Sequence, residues 1–477
     1  MNDRSVDLGG MKVCLVFPPY RESHDTVFLA SAKKNLGKIT PLSLCAVAAA
    51  LEKHRCRVQI IDANASGIGV DEAIGKIEEF GPDFLGFTLS TYQFHFTLEW
   101  IRRIRLRLRT PIIVGGPHAR AYPAEILTHR QIDYCVIGDA EEALPLLLSA
   151  LASGADIRGI GGVAWRDDDG AAIINPASYV RDLDTVAFPA RHLLDNSLYY
   201  SFISQYKNFT AMTTSRGCVF ECTFCDNHCI PYRAMSPRRV VNEIDSCVKE
   251  FGINEIDMFD GIFSVDRIRL LQICDLINKR SIKVHWSLRT RADLMDEESL
   301  RALKQAGCLR IYYGIESGSP EVLKNIRKNM DLERIKREVA YTKKIGIETF
   351  GFFIIGAPGE TTQTVAQTAQ LLASLPLDYA QIAPIFYPPQ TALYEQVLKD
   401  TGHDYWREYT IAPEKGFHLP VVGTCLTRKD IRALARKAYL KFYLHPRSII
   451  RFIAKMKSVA ELPRALGALA DMLWEKA

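Results

Sequence analysis

The stretch that decides the fold is residues 214–225, TSRGCVFECTFC. It places three thiols at C-x-x-x-C-x-x-C spacing on one short segment, so that they can converge on a single metal centre. Thiolates are the soft ligands that iron-sulfur clusters and zinc prefer. A four-iron four-sulfur cluster has four corners, so three protein ligands leave one iron open to an outside molecule. The spacing therefore favours a reactive cluster held by Cys218, Cys222 and Cys225.

A structural zinc site is the alternative for the same segment. Cys229 lies four residues beyond Cys225, so four thiolates are available in total. Structural zinc sites usually present their ligands as two separated pairs, whereas these four cysteines are crowded into one loop. The crowding favours the cluster over zinc.

The cysteine spacing, Phe224 before the last thiol and the Arg216-Gly217 lead-in resemble the radical S-adenosylmethionine (SAM) enzymes. The resemblance implies a 4Fe-4S cluster on Cys218, Cys222 and Cys225. It also implies that the open iron binds the amine and carboxylate of SAM. One electron then cleaves SAM and yields a 5′-deoxyadenosyl radical.

Downstream of the cysteines, short apolar runs alternate with helical patterns. The predicted strands run from residues 210–213 to residues 379–385, and the helices between them give six βα repeats. Eight repeats close a full barrel, so six predict a partial (β/α)6 barrel over residues 208–385. Sites in such barrels lie at the carboxyl ends of the strands.

Several residues are expected at the barrel mouth because each follows a predicted strand. The resemblance implies that they contact SAM; they are Asp260, Arg289, Arg291, Glu316, Gly356 and Pro358. A guanidinium suits the methionyl carboxylate, while the alternative for either arginine is a solvated surface charge. Relatives often carry two consecutive acids where this chain has Asp260-Gly261, so Asp260 alone is expected to meet the methionine amine.

The chain before the cysteines also alternates strands with helices, beginning with KVCLVF at residues 12–17. This pattern predicts a doubly wound, Rossmann-like parallel sheet over residues 1–175, followed by a linker at 176–207. Ligands of such sheets bind at the carboxyl ends of the strands. The loops there supply Thr88, Ser90, Gly115 and Gly116, and paired glycines let a backbone approach a large flat ligand closely. A Rossmann-like domain without any cofactor has the same pattern.

A sheet domain of this kind joined to the three-cysteine loop resembles the cobalamin (B12)-binding class of radical SAM enzymes. The resemblance implies cobalamin bound near Thr88, Ser90, Gly115 and Gly116. Many cobalamin proteins ligate cobalt through an Asp-x-His-x-x-Gly element, which is absent here, since His24 lacks both the Asp and the Gly. Members of this class commonly lack that histidine, so the lower face of the cofactor is expected to be unligated or water-ligated. The alternative is a domain kept without its cofactor.

Residues 386–477 are predicted to form a mostly helical region that caps the substrate site. Tyr405, Trp406 and Tyr409 are expected either to wall the substrate cavity or to pack against the open edge of the barrel. Helices are predicted at 427–443 and 446–474, and the second is basic and amphipathic. Such a helix can lie on an anionic membrane; the alternative is that it packs with its charges in water.

Composition is ordinary for a globular protein, with 477 residues, 48% hydrophobic and 24% charged residues, and a formal net charge of +5. There is no run of 18 apolar residues, and the amino terminus is polar. We therefore expect neither a spanning helix nor a signal peptide, and a cytoplasmic location that is peripheral to the membrane if the basic helix binds it.

The resemblance implies a cobalamin-dependent C-methyltransferase acting on a small-molecule, tetrapyrrole or lipid substrate, with a flavodoxin or ferredoxin as electron donor and no nucleic acid. The first alternative is an oxidative cyclase or ring-rearranging enzyme with the same cofactors and no methyl transfer. A methylthiotransferase ranks last, because those enzymes carry a second cluster on three amino-terminal cysteines. Here Cys14, Cys45 and Cys56 lie in or beside a predicted strand and helix.

Overall fold

A computed structural model describes residues 6–20, 37–415, 418–446 and 449. The chain divides into two compact units. One comprises residues 1–26, 38–199 and 403–419, and the other comprises residues 27–37, 200–402 and 420–477. His24 and nearly all of the helix predicted at 446–474 lie outside the described residues.

The first unit is built on a seven-stranded sheet in the order β2-β1-β3-β4-β5-β6-β7. Its strands are β1 (Lys12–Phe17), β2 (Arg57–Asp62), β3 (Phe84–Thr88), β4 (Ile112–Gly115), β5 (Tyr134–Val136), β6 (Val163–Arg166) and β7 (Ala172–Ile174). Strands β2, β1, β3, β4 and β5 pair in parallel with their neighbours. Strand β6 pairs antiparallel with β5, and β7 pairs antiparallel with β6. The chain passes from one side of β1 to the other, which confirms the predicted doubly wound sheet.

Helices cover this sheet. They are α1 (Leu42–Lys53), α2 (Ala63–Ser66), α3 (Val70–Phe80), α4 (Phe94–Arg107), α5 (Pro117–Ala121), α6 (Pro123–Leu127) and α7 (Ala140–Ser153). Val13 and Leu15 of β1 belong to the core that includes α1 and α7. Cys14 and Val16, which alternate with them, are buried as well. Burial on both faces explains why β1 is apolar throughout.

The second unit is built on six parallel strands in chain order. They are β8 (Phe209–Met212), β9 (Glu255–Met258), β10 (His285–Thr290), β11 (Cys308–Glu316), β12 (Glu348–Ile355) and β13 (Tyr379–Pro384). This arrangement confirms the partial (β/α)6 barrel. Two-residue strands also lie at Gly37–Lys38, Tyr200–Ser201, Ser215–Arg216 and Arg233–Ala234.

The later helices are α8 (Pro237–Phe251), α9 (Arg267–Lys279), α10 (Glu297–Gln305), α11 (Pro320–Asn325), α12 (Leu332–Lys344), α13 (Thr362–Ser374), α14 (Ala392–Thr401), α15 (Tyr405–Ile411) and α16 (Arg428–Tyr443). Several begin at a capping side chain that accepts from the N–H three residues later. These caps are Ser236, Asp266, Asp296 and Thr361. Each cap satisfies a backbone donor that a helix start leaves unpaired.

The region after the barrel contains α14, α15 and α16, and α16 confirms the helix predicted at 427–443. Residues 403–419, which include α15, belong to the first unit. The ring of Tyr409 lies 6.0 Å from that of Phe94, and the Tyr122 hydroxyl donates to Asp404 at 2.8 Å. Trp406 and Tyr409 are buried and pack within the first unit. The two-turn α15 is too short to show a period in the sequence, which is why its packing was missed.

Among the helices that the structure describes, none combines the length and the apolar content that crossing a bilayer requires.

Candidate active site

The three-cysteine segment is a loop whose two ends are tied together. The Met235 N–H donates to the Thr214 carbonyl at 2.9 Å, and Ser215–Arg216 pairs antiparallel with Arg233–Ala234. The buried Arg269 of α9 donates to the carbonyls of both Thr214 (2.9 Å) and Met235 (2.7 Å). These contacts fix the neck of the loop, which is the point where residues 214–216 meet residues 233–235.

Gly217 makes the turn that brings the cysteines out of this neck. Its φ is +76°, and a Cβ at this position would lie 2.3 Å from the Ile230 carbonyl oxygen. A side chain here would require the return segment of the loop to move.

Cys218, Cys222 and Cys225 are all partly buried in the loop. Burial raises the pKa of Cys225 to about 12, and the charges of Cys222 and Cys218 contribute to this rise. Burial also raises the pKa of Cys222, with a further contribution from Cys218. The thiols are thus close enough for the charge of one to raise the pKa of another. Among the described residues, however, no three His, Cys, Asp or Glu side chains are gathered closely enough to hold a metal ion. Cluster ligation by these cysteines therefore stays a prediction.

Unpaired hydroxyls around the loop fit a sulfur-rich cluster. In the described part of the chain, Ser215 Oγ, Thr223 Oγ1 and the Tyr232 hydroxyl are buried without a hydrogen-bond partner. Leaving a buried polar group unpaired costs about 1–3 kcal/mol. Hydrogen bonds to the sulfur atoms are a normal feature of iron-sulfur sites. The donors present therefore suit a cluster with exposed sulfide and thiolate acceptors.

Cys229 has a hydrogen-bond partner beyond the cysteine loop. Its thiol donates to the Gln390 carbonyl at 3.2 Å. This contact gives Cys229 a role in holding the loop that does not require a metal.

Asp260 supports the loop from beneath. The Thr214 N–H donates to its Oδ1 at 2.5 Å, the Thr214 hydroxyl donates to its Oδ2, and the Ser215 N–H donates to Oδ1 at 3.2 Å. Burial raises the pKa of Asp260, and the hydrogen bonds from Thr214 oppose that rise. Both carboxylate oxygens are thus occupied by the start of the cysteine loop.

The two predicted arginines also have internal partners. Arg289 donates to both oxygens of Asp257, at 2.8 and 3.1 Å, and its guanidinium lies 3.8 Å from the centre of the Phe259 ring. Arg291 donates to both oxygens of Asp293, at 2.9 and 2.7 Å. Neither arginine is a solvated surface charge.

Glu316 ends β11 in an unusual backbone conformation. Its φ is +68°, and the register of β11 against β12 shifts between Gly314 and Glu316. The Lys328 ammonium donates to its carboxylate at 2.7 Å, and both side chains are buried. A non-glycine residue in this region stores strain of about 1–3 kcal/mol, which is often found at functional sites.

The loop after β12 is closed by Glu360. One carboxylate oxygen of Glu360 accepts from the N–H groups of Gly356 and Ala357, and its other oxygen is buried without a partner in the part of the chain described. Burial raises the pKa of Glu360 to about 7. Gly356 has φ +96°, and the neighbouring Pro358 carbonyl accepts from the Asn325 amide at 3.0 Å. Gly356 and Pro358 therefore shape a rigid turn at the barrel mouth.

In the first unit, Thr88, Gly115 and Gly116 lie together at the carboxyl ends of β3 and β4. Thr88 pairs with Gly115, and the Leu89 N–H donates to the Gly115 carbonyl at 2.7 Å. Gly116 has φ +99°, and a Cβ there would lie 2.8 Å from Thr88 Oγ1. The fold of this edge therefore requires a glycine at position 116. A Cβ at Gly115, in contrast, would make only ordinary van der Waals contacts. The edge consists of main chain and small side chains, which suits the approach of a large flat ligand.

Ser90 and His118 complete this edge. The Ser90 hydroxyl lies 3.4 Å from Gln93 Oε1. The His118 ring is fully buried, with Nδ1 3.3 Å from the Thr91 hydroxyl and Nε2 3.1 Å from that of Thr410. This histidine therefore belongs to the interior of the unit.

Sequence reasoning missed Arg269 and Lys328. Arg269 could have been found, because it lies on the buried face of α9 with Ile273 and Ile277, where an apolar residue is expected. Lys328 lies in a turn after the short helix α11 and has no pattern that marks it.

Comparison with known proteins agrees with this architecture. A sequence model of the radical SAM superfamily matches residues 212–372, and a model of the B12 binding domain matches residues 32–148. An uncharacterized methyltransferase of Pyrococcus horikoshii is 30% identical over 454 residues, which cover 93% of this chain and 95% of that protein. An anaerobic magnesium-protoporphyrin IX monomethyl ester cyclase of Rubrivivax gelatinosus is 28% identical over 352 residues, which cover 71% of this chain and 63% of that protein.

Among solved structures, the chain resembles the radical SAM methyltransferase TsrM from Kitasatospora setae, with tryptophan substrate and the SAM analogue aza-SAM bound. The TM-score is 0.67 at 21% identity, over 82% of this chain and 76% of that one. This likeness establishes the fold.

Proposed function

Because the chain belongs to the radical SAM superfamily and carries a B12-binding domain before its radical SAM domain, we propose that it is a cobalamin-dependent C-methyltransferase. The observation that carries this proposal is the similarity, over 93% of the chain, to a protein named as a methyltransferase. We assign the cobalamin domain to residues 1–175 and the radical SAM barrel to residues 208–385. The linker is then 176–207, and we assign the capping of the substrate to the remaining residues, 386–477, apart from residues 403–419, which belong to the first unit.

The cysteine loop would hold the cluster through Cys218, Cys222 and Cys225. When bound, the cluster and SAM supply one-electron cleavage of a carbon–sulfur bond, and cobalamin supplies a methyl carrier. Arg269 and Asp260 hold the neck of the loop, and the buried hydroxyls of Ser215 and Thr223 are available to donate to sulfur. In the first unit, the main chain at Gly115 is available to the cobalamin ring.

The substrate is proposed to be a small molecule, a tetrapyrrole or a lipid, and the electron donor a flavodoxin or ferredoxin. Contact with an anionic membrane through the basic segment 446–474 would give access to a lipid substrate. The segment carries five basic residues between its apolar positions; they are Arg447, Arg451, Lys455, Lys457 and Arg464.

An oxidative cyclase without methyl transfer is the second candidate. It is favoured by the similarity to the magnesium-protoporphyrin ester cyclase, which covers 71% of this chain. The two candidates share their cofactors and differ in the fate of the SAM methyl group.

The test is anaerobic reconstitution of the full chain with iron, sulfide and hydroxocobalamin, followed by desalting and optical spectra. SAM and dithionite, as the electron source, are then added, and the nucleosides formed from SAM are separated by chromatography. A methyltransferase should retain cobalamin and release both 5′-deoxyadenosine and S-adenosylhomocysteine, since the latter records methyl donation. A cyclase should release 5′-deoxyadenosine alone. Cys222→Ala is the control that should lose the cluster absorption and both products.

A further inference from the structure

We propose that three hydroxyl groups around the cysteine loop, those of Ser215, Thr223 and Tyr232, donate hydrogen bonds to sulfur atoms of the cluster and raise its reduction potential. This inference rests on the proposed function, because it requires a cluster on the loop. The three side chains are positioning residues, which act on SAM cleavage only through the cluster.

These hydroxyl groups lack an acceptor in the described part of the chain. Their oxygen atoms are shielded from solvent, and Ser215 and Thr223 are 3% and 9% exposed as whole residues. Native proteins leave few buried polar atoms unpaired. Three such donors within residues 215–232 therefore indicate an acceptor that the protein chain itself does not supply.

The main chain of Thr223 is held on both sides by segments outside the loop. Its N–H donates to the Ile326 carbonyl at 3.1 Å, and its carbonyl accepts from the Leu393 N–H at 2.8 Å. Thr223 directly follows Cys222 and precedes Cys225 by two residues. Because its backbone is fixed between these two cysteines, its hydroxyl group stays within reach of a cluster that they bind.

Ser215 lies in the neck of the loop, where it pairs with Ala234. The Asp260 carboxylate accepts from the N–H and hydroxyl groups of Thr214 and from the Ser215 N–H. It does not accept from the Ser215 hydroxyl. The carboxylate that supports the loop therefore leaves this hydroxyl group available to the cluster.

Tyr232 lies on the return segment of the loop. A Cβ at Gly217 would lie 2.3 Å from the Ile230 carbonyl oxygen and 2.6 Å from that of Pro231, so this segment packs closely on the residue before Cys218. Burial raises the pKa of Tyr232, and the charge of Cys218 contributes to the rise. The phenol is thus within electrostatic reach of the first cysteine.

The direction of the effect follows from charge. Reduction adds one electron, taken from the donor protein, and increases the negative charge on the cluster, so that each hydrogen bond to sulfur becomes stronger. Hydrogen bonds to the sulfur atoms are among the factors that set the potential of an iron-sulfur cluster. The three hydroxyl groups therefore stabilise the reduced state more than the oxidised state, and their removal lowers the potential.

The test is an anaerobic redox titration of the reconstituted full chain without SAM, followed by electron paramagnetic resonance of the reduced cluster. Ser215→Ala, Thr223→Val and Tyr232→Phe each remove one hydroxyl group and keep most of the side-chain shape. Each should shift the reduction equilibrium about tenfold toward the oxidised state, which is a decrease of about 59 mV in midpoint potential for one electron. Thr223→Ser retains a hydroxyl group and should restore the wild-type potential.

Ser299→Ala is the matched control, because Ser299 is 1% exposed and lies in α10, outside the loop. This variant should have the wild-type potential. Iron content and circular dichroism show whether each variant keeps its cluster and its fold.

The proposal is overturned if the iron-replete variants keep the wild-type potential, or if Thr223→Ser shifts the potential as much as Thr223→Val does. It is also overturned if all three variants that lack a hydroxyl group lose the cluster, because these side chains would then hold the loop rather than tune the cluster. A wild-type chain that binds no cluster contradicts the proposed function instead.

Discussion

The guanidinium of Arg291 lies 4.2 Å from the centre of the Phe220 ring. The end of barrel strand β10 therefore rests on the loop that carries the cysteines. Because Arg291 also donates to Asp293 and to the Lys328 carbonyl, one side chain joins this loop to the turn that carries Lys328. This position suits a residue that fixes the loop, rather than one that binds SAM directly.

Replacing Arg291 should therefore weaken cluster retention. Arg291→Lys keeps the charge but loses both the stacking on Phe220 and the paired hydrogen bonds to Asp293. A partly buried cation–π contact contributes about 1–2 kcal/mol. We expect less iron per chain after desalting and a lower melting temperature. Arg301→Lys, at an exposed position 5.6 Å from the Tyr341 ring, is the control and should retain its iron. Equal retention in both variants would contradict this role.

Gly217→Ala should abolish the cluster site. The added Cβ meets the Ile230 carbonyl oxygen at 2.3 Å, so the loop must open. Gly252→Ala is a matched control, because Gly252 has a similar φ of +62° and its nearest neighbour is an amide nitrogen at 3.8 Å. The control should lose about 1–2 kcal/mol of stability through backbone strain alone and keep its iron. Iron analysis and thermal unfolding separate the two effects, and an iron-replete Gly217→Ala protein would refute the prediction.

The sequence was sufficient for the architecture, because both halves of the chain alternate apolar strands with amphipathic helices. Strand β1 was predicted at residues 12–17, where the structure has it, since apolar residues on both faces leave little alternative. Residues 403–419 were not predictable in the same way. Their place in the first unit depends on single contacts, such as that between Asp404 and Tyr122, which follow no period.

The same difference applies to the site residues, whose positions could be predicted and whose partners could not. Asp260, Arg289 and Glu316 were predicted near the ends of barrel strands, because topology alone brings such positions together. Their partners could not be predicted, since Asp257 and Lys328 reach them from another strand and from a turn. The sequence thus placed these residues at the ends of the barrel strands, while the pairing of their charges depends on tertiary contacts.

Cys229→Ser should retain the cluster, whereas Cys222→Ala should lose it. The Cys229 thiol donates to the Gln390 carbonyl, a contact that a serine hydroxyl can also make. Iron and sulfide analysis after anaerobic reconstitution, with the optical spectrum, measures the outcome. Should Cys229→Ser instead release bound zinc and unfold the loop, the structural zinc alternative would return.

Acid should loosen the first unit through His118. Burial lowers the pKa of His118 from its ordinary 6.5 to about 3, and burial lowers the pKa of His129 as well. Below about pH 6.5 the unfolded chain therefore binds protons that the folded unit does not bind. The contribution of the buried histidines to the free energy of unfolding is thus fully present above that pH. It then falls as the pH decreases from about 6.5 to about 3.

Helix α15 should be the segment most sensitive to protonation, because Thr410 contacts both histidine rings. His118 Nε2 lies 3.1 Å from the Thr410 hydroxyl, and His129 Nε2 lies 2.6 Å from the Thr410 carbonyl oxygen. Hydrogen exchange of residues 405–411 in the full chain, corrected for intrinsic rates, should quicken between pH 6.5 and pH 5, a window that opens at the ordinary pKa of histidine. His118→Gln removes a titrating group and keeps a polar side chain, so it should flatten this dependence. His192→Gln, whose side chain is 55% exposed, should leave it unchanged. If His118→Gln and the wild type show the same pH dependence, then protonation of His118 does not control the packing of α15.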